Sequence, residues 1–146
     1  MTIRIATTMD LGAWVDLRAQ LWPDTSRNVH HDEAQAILAT TPTQSVAFLD
    51  FDSGARGFVE ASLRHDHVNG CDTSPVAFVE GIYVRLDLQG SGIGRALLEA
   101  VKSWAQERGC SELASDAHLE NVASHAFHTA LGFDETERVV FFRKQL

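Results

Sequence analysis

The chemistry in this sequence is concentrated around one turn. Gln89-Gly90-Ser91-Gly92-Ile93-Gly94 joins a strand-like run, Val76–Val84, to a helix-like run that reaches Ala105. Glycine lets the backbone take positive φ and come close to a ligand. Where such a turn opens a helix, unpaired N–H groups and the positive end of the helix dipole converge, and a pyrophosphate fits without any lysine. The spacing is neither the dinucleotide pattern G-x-G-x-x-G nor a P-loop, which needs Gly-Lys-Ser/Thr. It is Gln-x-x-Gly-x-Gly, with Arg95 next. In the strand before it, period-two alternation puts Val76, Phe78, Glu80, Ile82 and Val84 on one face. One carboxylate, Glu80, thus stands in an apolar row. Desolvation there would raise its pKa toward neutrality and suit it to base work. Gly81 marks a bulge that could aim Glu80 into a crevice. The structural alternative is an acid paired with an arginine or with backbone N–H groups.

The elements that must position these groups follow from periodicity. Ile3–Thr7 alternates as a first strand, and a helix carrying Leu11, Trp14, Val15, Arg18 and Leu21 stops at Pro23. A second helix is expected over Asp32–Ala39. Strands follow at Ser45–Phe51 and Arg56–Arg64, then a polar loop from His65 to Ser74. After the glycine turn, Leu97, Leu98, Val101, Trp104 and Ala105 form one buried helical stripe. A short strand at Glu112–Ser115 ends at Asp116. A helix over Asn121–Leu131 should bury Ala123, Ala126, Phe127, Ala130 and Leu131. Phe133–Phe142 reads as a closing strand. The order β-α-α-β-β-β-α-β-α-β predicts an α/β fold with a mixed sheet, in one domain spanning residues 1–146. Open α/β sheets bind ligands beyond the carboxyl ends of parallel strands, which gathers Glu80, the glycine turn and Asp116 around one crevice.

Bulk composition narrows the function. The chain has 146 residues, 45% hydrophobic and 22% charged, as ordinary soluble domains have. Its net charge of −8 disfavours nucleic-acid and acidic-membrane partners and would draw in a cation. Cys71 and Cys110 lie in no metal-ligand spacing and read as reduced thiols of a cytoplasmic protein. No run is apolar enough for a signal peptide or a membrane span. His125 and His128 share a helix face, but no third ligand is evident, so no metal is expected.

The Gln-x-x-Gly-x-Gly turn resembles the acyl-coenzyme A loop of the GCN5-related N-acetyltransferases, and the element order matches their fold over the whole chain. The flanks narrow the resemblance. Leu17-Arg18-Ala19-Gln20-Leu21-Trp22-Pro23-Asp24, Glu80-Gly81-Ile82, Ala114-Ser115-Asp116, Ser124-His125 and Ala130-Leu131-Gly132-Phe133 are similar to the aminoglycoside 6′-N-acetyltransferases. The resemblance implies transfer of acetyl from acetyl-CoA to the 6′-amino group of an aminoglycoside, in a homodimer. It places the coenzyme along Ile82, Tyr83 and Val84, its pyrophosphate on Gly90, Ser91, Gly92, Ile93, Gly94 and Arg95, and its arm against Asn121. It builds the drug pocket from Trp22, Thr25, His67, Glu80, Asp116 and Glu137.

By residue type alone, Trp22 is core, Asp116 a turn-maker, Asn121 a helix N-cap and Glu137 a solvated side chain. Tyr83 is either core or coenzyme-lining. His128 stands where relatives of this fold carry a tyrosine general acid; it serves, or water does, or no acid is required. An ammonium must lose its proton before it attacks. With a pKa near ~10, holding it neutral at pH 7 costs about 4 kcal/mol, which a nearby base offsets in part. Two other readings compete: acetylation of a polyamine or a protein amino terminus, and a coenzyme- or drug-binding module without turnover.

Overall fold

In the computed structural model, which describes residues 1–146, the chain runs β1 (Thr2–Ile5), α1 (Leu11–Leu21), α2 (Arg27–Thr40), β2 (Ser45–Phe51), β3 (Ala55–Arg64), β4 (Val76–Val84), α3 (Ile93–Glu107), β5 (Leu113–Ser115) and α4 (Val122–Ala130). The strands form one mixed sheet in chain order. β1 to β4 are antiparallel neighbours, and β5 pairs parallel to β4 after the α3 crossover.

Local chemistry sets the helix ends. Asp10 accepts from the Thr7 N–H at 2.8 Å and from both Arg4 guanidinium nitrogens at 2.8 and 2.9 Å, tying the entry of α1 to β1. Trp22 leaves the helical region at φ −123° and ψ 73°, because the following Pro23 excludes it. Ser26 accepts from the Val29 N–H at 3.3 Å and caps α2. That cap starts α2 at Arg27, earlier than the expected Asp32.

Two cores sandwich the sheet. On one face α3 lays Leu97, Leu98, Val101, Trp104 and Ala105 over Val46, Val59, Ala61, Ala77 and Val79. On the other, α1 and α2 bring Trp14, Leu17 and Ala34 against Ala47, Leu49 and Phe58. Each fully buried Val, Leu or Phe among them contributes about 1.5–3 kcal/mol before entropy is counted. No helix is long and apolar enough to cross a membrane.

Three expectations need correcting. Glu60 pairs with Gly81 and Ala61 with Val79, so Glu80 is an extra residue in β4. This bulge swaps the faces beyond it. Val76 and Phe78 lie on one face, whereas Ile82 and Val84 join Ala77 and Val79 under α3. The single apolar row predicted for β4 therefore does not exist. The predicted closing strand is also absent: Phe133 onward forms no strand. Nor does α4 have a fully buried residue: Ala123, Ala126 and Ala130 are exposed, and Phe127 and Leu131 are half-buried.

Candidate active site

The site lies where β4 and β5 part. Their pairing ends at Val79 and Ser115, but β4 continues to Val84. The β5-facing edge of Glu80–Val84 is left without a strand partner. Such an edge offers N–H and C=O groups to an extended, amide-bearing ligand.

Below this edge the chain turns into α3. Gly90 and Gly92 take φ of +83° and +91°, and a Cβ at either would meet nothing within 4 Å. Gly92 caps the helix without any side-chain hydrogen bond. The first helical bond runs from the Ala96 N–H to the Gly92 carbonyl at 3.0 Å, so the amides of Ile93, Gly94 and Arg95 precede the ladder. These amides face open space beside the two glycines. Gln89 explains its own place in the motif: its Nε2–H donates to the Val84 carbonyl at 3.1 Å and ties the turn to the end of β4. The Ser91 hydroxyl donates to the Leu88 carbonyl. The Arg95 guanidinium donates to the Ala130 carbonyl at 2.9 Å, so it is engaged with α4. Gly94 admits Phe127, whose ring carbons would stand 3.0 Å from a Cβ there.

Glu80 lies on the α1–α2 face of the sheet. Its carboxylate accepts from the Ser62 hydroxyl at 2.6 Å and from Arg64 Nη2 at 3.0 Å on both oxygens. Arg64 in turn lies over the Phe78 ring, 3.5 Å from its centroid. The Glu80 and Arg64 side chains are 37% and 43% exposed. The expected desolvated acid is thus an ion pair open to solvent. The bulge turns Ile82 and Val84 to the other face, so Glu80 lacks the second apolar flank that would have desolvated it. Ser62 and Arg64 went unread in the sequence because only the β3–β4 register brings them there.

The other predicted residues divide. Asp116 follows the last β5 pair and is exposed, one step beyond Ser115, so parallel register sets it level with Glu80. The Trp22 ring lies directly on Gly81. Thr25 donates its N–H to the Trp22 carbonyl at 3.3 Å. Tyr83 packs with the α1–α2 core and donates its hydroxyl to Gln20 Oε1 at 3.1 Å, whereas Ile82 and Val84 face α3. Asn121 caps α4, accepting from the Ser124 N–H at 3.2 Å. His67 and Glu137 are exposed and make no hydrogen bond or ion pair that would orient them. His128 is held on both sides: Nδ1–H donates to the Ser124 carbonyl at 2.7 Å, and Nε2 shares a hydrogen bond with the Ser115 hydroxyl at 2.8 Å. Both ring nitrogens are thus engaged, and the side chain joins α4 to β5.

Comparison with known proteins now fixes the class. Residues 13–133 match the model of the acetyltransferase (GNAT) family, and the chain belongs to that family. Within it, the chain is 50% identical to an aminoglycoside N(6′)-acetyltransferase type 1 of Stenotrophomonas maltophilia, over 99% of this chain and 94% of that protein. A protein of the same name from Acinetobacter baumannii is 46% identical, over 100% and 99%. Among solved structures, AAC(6′)-Iy in complex with the bisubstrate analogue CoA-S-monomethyl-acetylneamine superimposes with a TM-score of 0.93 at 43% identity, covering 99% of this chain and 98% of that one. Apo AAC(6′)-IG from Acinetobacter haemolyticus gives 0.95 at 41% identity, covering 100% and 99%.

Proposed function

We propose that this chain transfers acetyl from acetyl-CoA to the 6′-amino group of aminoglycosides. The observation that carries the reading is the juxtaposition at the parting of β4 and β5. An open strand edge and an unpaired helix start lie beside two carboxylates and an indole. Full-length relatives of that activity support it. The turn from Gly90 to Gly94 takes the diphosphate through its backbone amides, with Arg95 held by α4 as the turn's flank. Ile82, Tyr83 and Val84 offer their main chain to the pantetheine amides. Asn121 lines the arm from the start of α4. Trp22, Thr25, His67, Asp116 and Glu137 surround the acceptor with Glu80.

The substrate ammonium takes the place of the Arg64 guanidinium on Glu80. The carboxylate then accepts the proton, directly or through water, as the amine attacks the thioester carbonyl. The carbon–sulfur bond breaks and the thiolate leaves, protonated from water because His128 is engaged. Transfer is direct, with no acetyl-enzyme. Burial pushes the thiols of both Cys71 and Cys110 up, away from nucleophilic thiolate. The protein works as a homodimer in the cytoplasm, a reading supported by two free cysteines and by the exposed apolar carboxyl terminus.

Mass spectrometry of kanamycin-class drugs incubated with the protein and acetyl-CoA tests the activity. One acetyl group on the 6′-nitrogen, with matching thiol release, is expected. Acetylation of polyamines or peptide amino termini alone, or tight drug binding without thiol release, overturns it.

A further inference from the structure

Trp22 sits in a socket whose parts come from four elements. Beneath it is Gly81: a Cβ there would stand 2.4 Å from Cη2 and 2.6 Å from Cζ2 of the indole. Phe58 meets the ring edge-on at 6.1 Å, and His30 stacks on it at 6.3 Å and 22°. The Arg18 guanidinium lies 4.9 Å from its centroid. The backbone is fixed as well. His30 Nε2–H donates to the Trp22 carbonyl at 3.0 Å, and His30 Nδ1 accepts from Arg18 Nε–H at 3.3 Å.

Arg18 is itself immobilised. Its Nη1 reaches both oxygens of buried Glu60 at 2.5 Å, and its Nη2 pairs with Glu33. Glu60 also accepts from the Trp14 indole N–H at 2.8 Å. Arg18, His30 and Glu60 are all buried, charged or polar, and fully partnered. Removing one partner would strand the others, so the set is rigid. Glu60 is also the cross-strand partner of Gly81, the residue after the bulge that sets Glu80. One arrangement therefore fixes both the acid and the aromatic surface beside it.

We infer that Gly81, with the buried Arg18–His30 pair, is a specificity-determining socket that holds Trp22 beside Glu80 and so sets which acceptor amines fit. This rests on the reading of Trp22 as a wall of the acceptor pocket. Gly81 has no catalytic contact of its own; it acts by the space it leaves. A methyl group there must displace the indole, which Phe58, His30 and Arg18 hold from its other sides.

A double-mutant cycle tests this, read by steady-state thiol release with separate KM values for aminoglycoside and acetyl-CoA. Gly81→Ala should raise the aminoglycoside KM about tenfold or more and leave the acetyl-CoA KM within about twofold. Trp22→Ala should also raise the aminoglycoside KM, and in its background Gly81→Ala should have no further effect, because the collision is gone. Additive effects, or equal changes in both KM values, overturn the inference. An unchanged aminoglycoside KM in Trp22→Ala overturns the wall reading itself and the inference with it. Should Gly81→Ala fail to fold, His30→Gln supplies the same split: a selective rise in aminoglycoside KM supports the socket, and a parallel fall in all parameters refutes it.

Discussion

At the scale of single residues, Glu80 shows how a correct position can come with an incorrect environment. The sequence has a carboxylate next to a glycine in a core strand, and the expected bulge is there. Its neighbours are polar where apolar ones were expected. Glu80 shares the face of Val76 and Phe78 with Ser62 and Arg64, whose pairing with it depends on a register no local pattern reveals. The same is true of Arg18 and Glu60, which are 42 residues apart in sequence. Base work by Glu80 has a signature. Glu80→Ala should lower kcat/KM at pH 7 on the order of 10²-fold, and the deficit should shrink as pH rises toward the pKa of the free amine. A pH–rate profile checks this. A deficit that stays constant with pH would assign Glu80 to binding.

At the scale of elements, β2, β4 and α3 were legible because each carries a strong period and a turn signal at its ends. α2 begins at Arg27 rather than at the expected Asp32 because Ser26 is a sufficient N-cap. α1 is anchored by the clamp between Arg4 and Asp10, and this anchorage depends on pH. Hydrogen bonds from the Arg4 guanidinium and from Thr7 hold the Asp10 carboxyl below the usual carboxylate range, despite the opposing effect of burial. A depressed folded-state pKa contributes stability above the unfolded value, near ~4, and that stability is lost as pH falls through the lower folded value. Asp10→Asn should therefore cost about 1–3 kcal/mol at pH 7. Denaturant titrations should show the gap to the unaltered protein narrowing below about pH 4. A gap independent of pH would locate the effect in packing.

At the scale of the whole molecule, the closing strand is the largest departure from expectation, and the residues involved explain it. Val139 and Val140 are 52% and 77% exposed, and Phe141 and Phe142 are 89% and 93% exposed. The segment keeps a strand-forming composition without a strand to pair with. Meanwhile β5 has β4 on one side only. A cavity of about 190 Å³ runs beside it, lined by Leu98, Leu113, Leu131 and Phe133. The chain thus carries a strand-forming segment without a sheet and a sheet edge without a strand; in the proposed homodimer, each edge would take the other copy's segment by strand exchange. Light scattering at micromolar concentration should give a dimer. Phe141→Asp with Phe142→Asp should give a monomer with unchanged helical content. A monomeric unaltered chain, or a dimer indifferent to both substitutions, would refute the exchange.

The unpaired stretch of β4 has one more implication. If the acetyl donor is read there by peptide groups, the donor makes no demand on what the side chains of residues 80–84 are. Those on the α3 side remain free to build the interior, and those on the α1 side to sort incoming amines. A lineage could then alter its choice of antibiotic by substitutions along that ribbon without renegotiating its grip on the donor.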